Sequence, residues 1–415
     1  MDESRDLQRE QKKNLLRRQV ISSGPDSEEA YQAKLRAHKI RSWLIICGIV
    51  AVLALGFIGY RIIDSVRNLT GYRIDWELSL ESGDSAYTGY EAFGEGILKV
   101  GKSGATYISS DGAQVWSEAY EMKSPIAQTR GEYAAVADLN SNNLALFSIT
   151  GKKLCQVTTP GPIMRIAVAG QGVMAVLVQD GLSDSIYFYD KAGNRLEVEV
   201  KTSFAQDGYP LDIALSANGQ ILMYSYVSVE EGTIKNKVNF YNFGDEGQKY
   251  QDRMVAGFKY GDSMIPRVRI MGNGNAVAFG DRMISFYSLK KVDEPSRLDR
   301  DRVFEHGINL IFYSDEYVGV VEAGESQREP GTLHVYQPDG KELLAQKLSQ
   351  EYEEGIFAGD EILLYNNGAC MLITLGGHIK YEGSMEGGVD FMAAGTERNQ
   401  LLVAGGGKIR SCTLK

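Results

Sequence analysis

The stretch SIYFYDKAGNRLEVEV, residues 185–200, decides the fold. An aromatic strand runs into a turn whose glycine, Gly193, tolerates positive φ, and the chain leaves that turn as a second strand. The same phrase recurs as ATYISSDGAQVWSEA (105–119), LALFSITGKKLCQVT (144–158), VNFYNFGDEGQKYQD (238–252), TLHVYQPDGKELLAQ (332–346) and CMLITLGGHIKYEG (370–383). A seventh copy, MISFYSLKKVDEPSRL (283–298), carries Lys-Val-Asp-Glu-Pro where the others have their glycine turn. The turn glycines at 112, 151, 193, 247, 340 and 376 lie 39, 42, 54, 93 and 36 residues apart, and the gap of 93 contains that exceptional copy. One unit is therefore about forty residues long, a period that marks repeat architectures.

Ahead of each phrase stands another short apolar strand: ILKV (97–100), YAAVA (133–137), VMAVLV (173–178), ILMYSYV (221–227), AVAF (276–279), YVGVV (317–321) and ILLY (362–365), with LLVA (401–404) near the C-terminus. A further strand precedes these, clearest in IMRIAVA (163–169), LDIAL (211–215), NLIFY (309–313) and VDFMA (389–393). Four short strands per unit is the cadence of a β-propeller blade. The last unit ends at KIRSCTLK (408–415) without an outer strand, while RIDWELSL (73–80) is a strand with no unit of its own. If 73–80 completes the last blade the ring closes, whereas an open stack would leave bare edges at both ends. The expectation is an all-β, eight-bladed β-propeller over residues 73–415, with seven blades as the alternative.

Composition agrees. The chain has 46 Gly, 9 Pro and 23 Tyr, which favours many tight turns between half-buried strands. Its net charge of -10 is unevenly shared: residues 1–60 sum to +3 and residues 61–415 to -13. An acidic domain repels phosphate backbones, which excludes nucleic acid as its partner. Four scattered cysteines, 47, 155, 370 and 412, make no disulfide framework and read as small buried hydrophobes, Cys370 and Cys412 being able to pair only if their strands are adjacent.

Before the propeller, RSWLIICGIVAVLALGFIGY (41–60) contains no charge from Trp43 to Tyr60. At about 1.5 Å per residue that run approaches the roughly 30 Å hydrocarbon thickness. Trp43 and Tyr60 suit the two interfaces, and Arg41 and Arg61 close the run. The run ends in Gly-Tyr-Arg rather than in small residues, which argues against a cleaved signal peptide, and Ile46 before Cys47 argues against a lipoprotein. Lys34, Arg36, Lys39 and Arg41 precede the run, which orients the N-terminus inside. The expected organisation is a charged cytoplasmic tail (1–40) with a capped helical segment from Asp26, a transmembrane helix (41–61), a stalk (62–72) helical to about Thr70, and an extracytoplasmic propeller. The localisation expected is the cell membrane, single-pass.

The Tyr-x-x-x-Gly-x-x-hydrophobic turns of residues 189–196 and 336–343 resemble the blades of quinoprotein-like propellers. The whole layout, with YRIDWEL following the apolar run, resembles an uncharacterised family of membrane-anchored propeller proteins of Gram-positive anaerobic bacteria. The resemblance implies a shape and no activity.

Motifs for chemistry are missing. Quinone-dependent enzymes of this fold use a full set of tryptophan docking motifs, and this chain has only Trp43, Trp76 and Trp116. The four histidines, 38, 306, 334 and 378, show no ligand spacing, and no P-loop or Gly-x-Ser-x-Gly occurs. No catalytic residue, cofactor or metal is expected. Long loops are expected on one face, at 179–185, 228–237 and 322–332 and at the links 205–210 and 260–266, and loops on a rigid platform carry function. Asp180, Asp184, Glu230, Glu231, Lys235, Glu325, Arg328 and Glu329 are the candidate partner-binding residues. The leading expectation is a scaffold for another protein or an envelope component. The alternatives are an envelope glycan hydrolase or lyase using channel carboxylates, and a sensor signalling to the tail.

Overall fold

The computed structural model describes residues 7, 9–16, 26–80, 89–181, 183–204, 207–230, 232–261, 263–326 and 329–415. The chain forms two compact units, residues 1–67 and 68–415. In the first, a single helix (α1) runs Asp26–Ser65, so the segment that starts at Asp26 and the apolar run are one element. The most apolar eighteen-residue window of its stretch Arg36–Phe57 has a mean hydropathy of 2.2, and no part of that window is buried. Trp43, Leu53 and Leu55 are exposed. A helix apolar on all sides has no face to turn toward water. Helix α1 stops at Ser65, short of the continuation to Thr70 that the apolar spacing predicts, because Leu69 is instead buried in the core of the second unit.

The second unit is a ring of eight antiparallel sheets: blades 1 to 7 span 89–119, 125–158, 163–203, 209–260, 267–303, 308–347 and 354–384, and blade 8 joins 391–414 to the strand Tyr72–Ser79. The first strands of neighbouring blades pack on one another and form the inner wall. Eight buried hydrophobic clusters, one between each pair of adjacent blades, show that the ring is closed.

Closure follows the expected pairing. Tyr72–Ser79 lies antiparallel to Lys408–Leu414, from Tyr72 opposite Leu414 to Ser79 opposite Lys408, with a bulge between Ile74 and Trp76. Thr413 Oγ1 donates to Asp75 at 2.5 Å and Lys408 pairs with Glu77 at 2.6 Å. The Leu69 amide donates to the Lys380 carbonyl at 2.7 Å, and burying this side chain contributes about 2 kcal/mol.

The turn glycines explain how blades lock together. Gly112, Gly151, Gly193 and Gly340 have φ between +83° and +86°. A Cβ on Gly112 would lie 2.8 Å from the Trp76 ring and one on Gly151 2.6 Å from Trp116, each tryptophan belonging to the outermost strand of the preceding blade. The indoles donate to Ser110 O at 3.0 Å and Ile149 O at 3.2 Å in the turns they cover. Thus the N-terminal strand both completes blade 8 and docks on blade 1. Two expected turn glycines differ. In blade 7 the positive φ falls on Gly377 rather than Gly376. Gly247 sits in a 3-10 turn, Glu246–Lys249, because the third and fourth strands of blade 4 are joined by a longer insert, 243–253.

Candidate functional site

Blades 3 and 4 splay apart at the rim and enclose a groove of about 920 Å³. One wall is the outermost strand of blade 3, Arg195–Ser203, through residues 197–202. The other is blade 4: Tyr226 from its second strand, Lys237, Asn239 and Tyr241 from its third, Gly257, Phe258 and Lys259 from its fourth. Asp207, from the link between the blades, lies toward one end, and Gln251, Asp252 and Arg253, from the blade 4 insert, toward the other. The groove therefore runs the height of the rim.

Specific bonds order each wall, and the Thr202–Tyr224 contact joins the two. Asn239 Nδ2 donates to the Tyr226 hydroxyl at 2.8 Å, and the Thr202 and Tyr224 hydroxyls are 3.3 Å apart. Asp207 accepts from the Ser203 amide at 2.9 Å. Lys237 pairs with Glu230 and lies 5.9 Å from the Tyr226 ring centre. Burial raises the hydroxyl pKa of Tyr224, Tyr226 and Tyr241, so these phenols stay protonated. At the lip, Asp252 and Arg253 have φ of +52° and +60°, consecutive non-glycine residues in the left-handed region.

Behind this wall sits Asp184. It is opposite Thr202 in the sheet register, so both side chains share the face that blade 3 turns to blade 4. The residue is fully buried, neither carboxylate oxygen has a hydrogen-bond partner among the described residues, and burial pushes its pKa up to about 6.

The expected loop residues divide accordingly. Two of the three expected loops are strands: Met174–Asp180 pairs with Ser183–Tyr189 as far as Asp180 opposite Ser183, and Ile221–Glu230 pairs with Thr233–Asn242 as far as Glu230 opposite Thr233. Residues 179–185 and 228–237 are thus extended hairpins, because their alternating residues continue the ladder past the rest of the blade. Asp180 is exposed at one tip, Asp184 is buried, and Glu230 and Lys235 lie on the second hairpin. The structure brings these four to the blades that form the groove. Glu325 and Glu329 are exposed on a true loop of blade 6, Glu329 being 3.7 Å from Lys347, with blade 5 in between. Glu231 and Arg328 lie outside the described residues. Loop length is not confined to one face either, since the blade 4 insert lies at the other. Tyr226, Asn239, Tyr241, Asp252 and Arg253 were not anticipated; only the unusual spacing of the Gly247 copy signalled the insert.

The inner wall presents charges that mostly satisfy one another. Arg130 donates to Leu215 O at 3.1 Å and lies 3.4 Å from Asp315, and buried Asp212 accepts from the Val268 amide at 3.0 Å. Burial raises two further carboxyls of the inner strands: Glu91, pushed up to about 7 against the opposing pull of Arg269 and Arg267, and Glu354, beside the like charge of Glu353.

A family model described as a family of unknown function (DUF5711) matches residues 65–414, and the chain belongs to that family. No curated protein matches the sequence. Among solved structures, the Dos1 propeller aligns with a TM-score of 0.52 at 11% identity, over 82% of this chain and 95% of that one. BamB from Moraxella catarrhalis aligns with a TM-score of 0.49 at 12% identity, over 83% and 100%. BBS1N in complex with ARL6DN aligns with a TM-score of 0.44 at 11% identity, over 84% and 98%. At such identities the likeness concerns the fold alone.

Proposed function

We propose that this member of the DUF5711 family is a single-pass membrane protein whose extracytoplasmic propeller is a protein-binding or scaffold module of the cell envelope. The observation that carries the binding reading is the blade 3–blade 4 groove, a cleft on a closed, rigid ring bordered by a projecting hairpin. On that hairpin Val229 and Ile234, opposite each other in register, are 72% and 56% exposed. Apolar side chains paired at an exposed tip suit a contact with another surface. Helix α1 supports the anchor, since its charge-free run from Trp43 to Tyr60 rises about 27 Å and no part of the most apolar window of the helix is buried. Lys34, Arg36, Lys39 and Arg41 support an N-terminus on the cytoplasmic side.

The test replaces residues 229–234 by a two-residue turn and compares crosslinked partner capture from native membranes. Capture should be lost while thermal unfolding of the propeller is unchanged; undiminished capture would remove this face from the reading. Protease added to intact protoplasts should digest the propeller and spare residues 1–40, and the reverse pattern would overturn the topology.

A further inference from the structure

We propose that the outermost strand of blade 3, Arg195–Ser203, takes an extended basic segment of a partner polypeptide as a fifth strand, seated in the groove against blade 4. This rests on the protein-binding reading above and names the chemistry of the partner.

The lining of the groove carries the inference. Side chains of a strand alternate between its two faces, so a cavity against one face meets every second residue. Here six consecutive residues, 197 to 202, line the groove. Such a cavity follows the edge of the strand, where backbone amides and carbonyls point outward. Among the described residues, no backbone group outside blade 3 bonds to 196–202. Arg195–Ser203 is also the longest outermost strand at nine residues, against eight in blade 8 and a broken pair of two-residue strands in blade 5. An edge of this length is a template for strand addition, in which main-chain bonds supply affinity and alternate side chains supply specificity.

The opposite wall shows which side chains fit. Lys237, Asn239 and Tyr241 alternate along one strand and so present a face, which Tyr226 and Phe258 extend. An added strand would lay one row of side chains on these aromatic rings. Its preferred charge follows from the carboxylates. Glu197, Glu199, Asp207 and Asp252 balance Lys201, Lys237, Arg253 and Lys259 in the lining, and Asp184 behind Thr202 tips the balance to net negative. Two of those bases are already engaged, Lys201 with Glu199 at 2.7 Å and Lys237 with Glu230. Asp184, fully buried behind Thr202 and without a hydrogen-bond partner among the described residues, adds negative potential toward which an incoming ammonium or guanidinium is drawn.

The experiment uses the full-length protein in nanodiscs and three eight-residue peptides: alternating Lys and Val, alternating Glu and Val, and the Lys/Val peptide with a central proline. Binding is read by fluorescence anisotropy, and its location by hydrogen exchange of residues 196–202. The Lys/Val peptide should bind and protect those amides. The Glu/Val peptide should bind up to about fivefold more weakly, as expected for losing one cross-strand charge pair. The proline peptide should not bind, because it cannot continue the ladder. Asp184→Asn should shrink the Lys-over-Glu preference and leave the protected segment unchanged. Failure of the Lys/Val peptide to bind, or protection at another segment, would overturn the proposal. So would protection without peptide that rises with protein concentration, since the occupant would then be a second copy of the chain. If capture depends on the 229–234 hairpin while the peptide fails, this inference falls and the scaffold reading stands. If the peptide protects 196–202 while capture ignores the hairpin, the scaffold reading loses that face and the edge-strand inference stands.

Discussion

Blades 7 and 8 meet at the seam of the ring, blades 3 and 4 meet at the groove, and buried charge is handled differently at the two. At the seam the Lys380 side chain is entirely buried, donating to Glu361 at 2.7 Å and, across the interface, to Asn399 at 3.0 Å. The same interface buries Leu69, Cys370 and Cys412. Burial pushes Cys370 up to about 12 and Cys412 to about 11, so both thiols stay protonated and inert. At the groove, Asp184 is as deeply buried as Lys380 and has no hydrogen-bond partner among the described residues, and at the lip the consecutive residues Asp252 and Arg253 hold left-handed backbone. A charge completed from within serves the architecture. The one left incomplete lies beside the edge where we place the incoming strand.

The most damaging way to break this contrast is to make the seam resemble the groove. Glu361→Gln takes the carboxylate 2.7 Å away from the buried Lys380 ammonium and should cost about 3–5 kcal/mol, the usual penalty for breaking a buried pair. Urea unfolding followed by tyrosine fluorescence measures it. Replacing both residues at once, Glu361→Gln with Lys380→Met, should recover most of the loss. A single-variant cost below about 1 kcal/mol would mean that the pair behaves as a solvated one, and the contrast would fail.

How far each region was readable from sequence follows the same division. The blades were readable because their signals are local: a glycine turn, two flanking strands and a regular spacing repeat along the chain. Even the pairing of residues 72–79 with 408–414 could be inferred, since a strand without a blade and a blade without a strand complete each other. The groove was not, because its parts are local failures of the pattern. The stretch SVEEGTIKNK (228–237) looks like a polar loop, since a ribbon projecting beyond the blade needs no buried face; its alternation of Val227, Val229 and then Ile234 was the available signal. Asp184, beside a turn and next to Ser183, reads as exposed, and its burial is imposed by Tyr224 and Thr202 from strands distant in sequence. Pairing across blades is tertiary information that no window of sequence contains.

A second change makes the groove resemble the seam. Asp184 has a folded-state pKa of about 6, above the ordinary value near 3.9 of an unfolded chain. The folded protein therefore holds this proton more tightly than the unfolded chain. Stability from that difference is fully present below about pH 4, falls as pH rises toward about 6, and stays lost above it. Asp184→Asn removes the charge and keeps the shape, so it should stabilise the propeller at pH 8 by about 3 kcal/mol and by little at pH 4. Chemical denaturation at the two pH values, each against the unaltered protein, isolates Asp184 from Glu91, whose raised pKa slopes the same way in both. Equal gains at both pH values would show that the carboxylate charge is not the source of the effect.

The smallest effect concerns the lip. Asp252, at φ +52° and ψ +19°, occupies a region that costs a non-glycine residue up to about 1 kcal/mol, and glycine reaches it freely. Asp252→Gly relieves that strain but also loosens the unfolded chain, so the net change in stability should stay within about 0.5 kcal/mol of zero. Capture by the groove should nevertheless weaken, because the insert would no longer hold Arg253 and its bond to Phe243 O in one conformation at the groove's end. A matched glycine at Asn140, another left-handed residue but away from the groove, separates the two meanings of strain. Asn140→Gly should change stability to a similar degree and leave binding alone. If both variants bind normally, the left-handed pair at the lip is only turn chemistry, and the groove rests on its edge strand and Asp184.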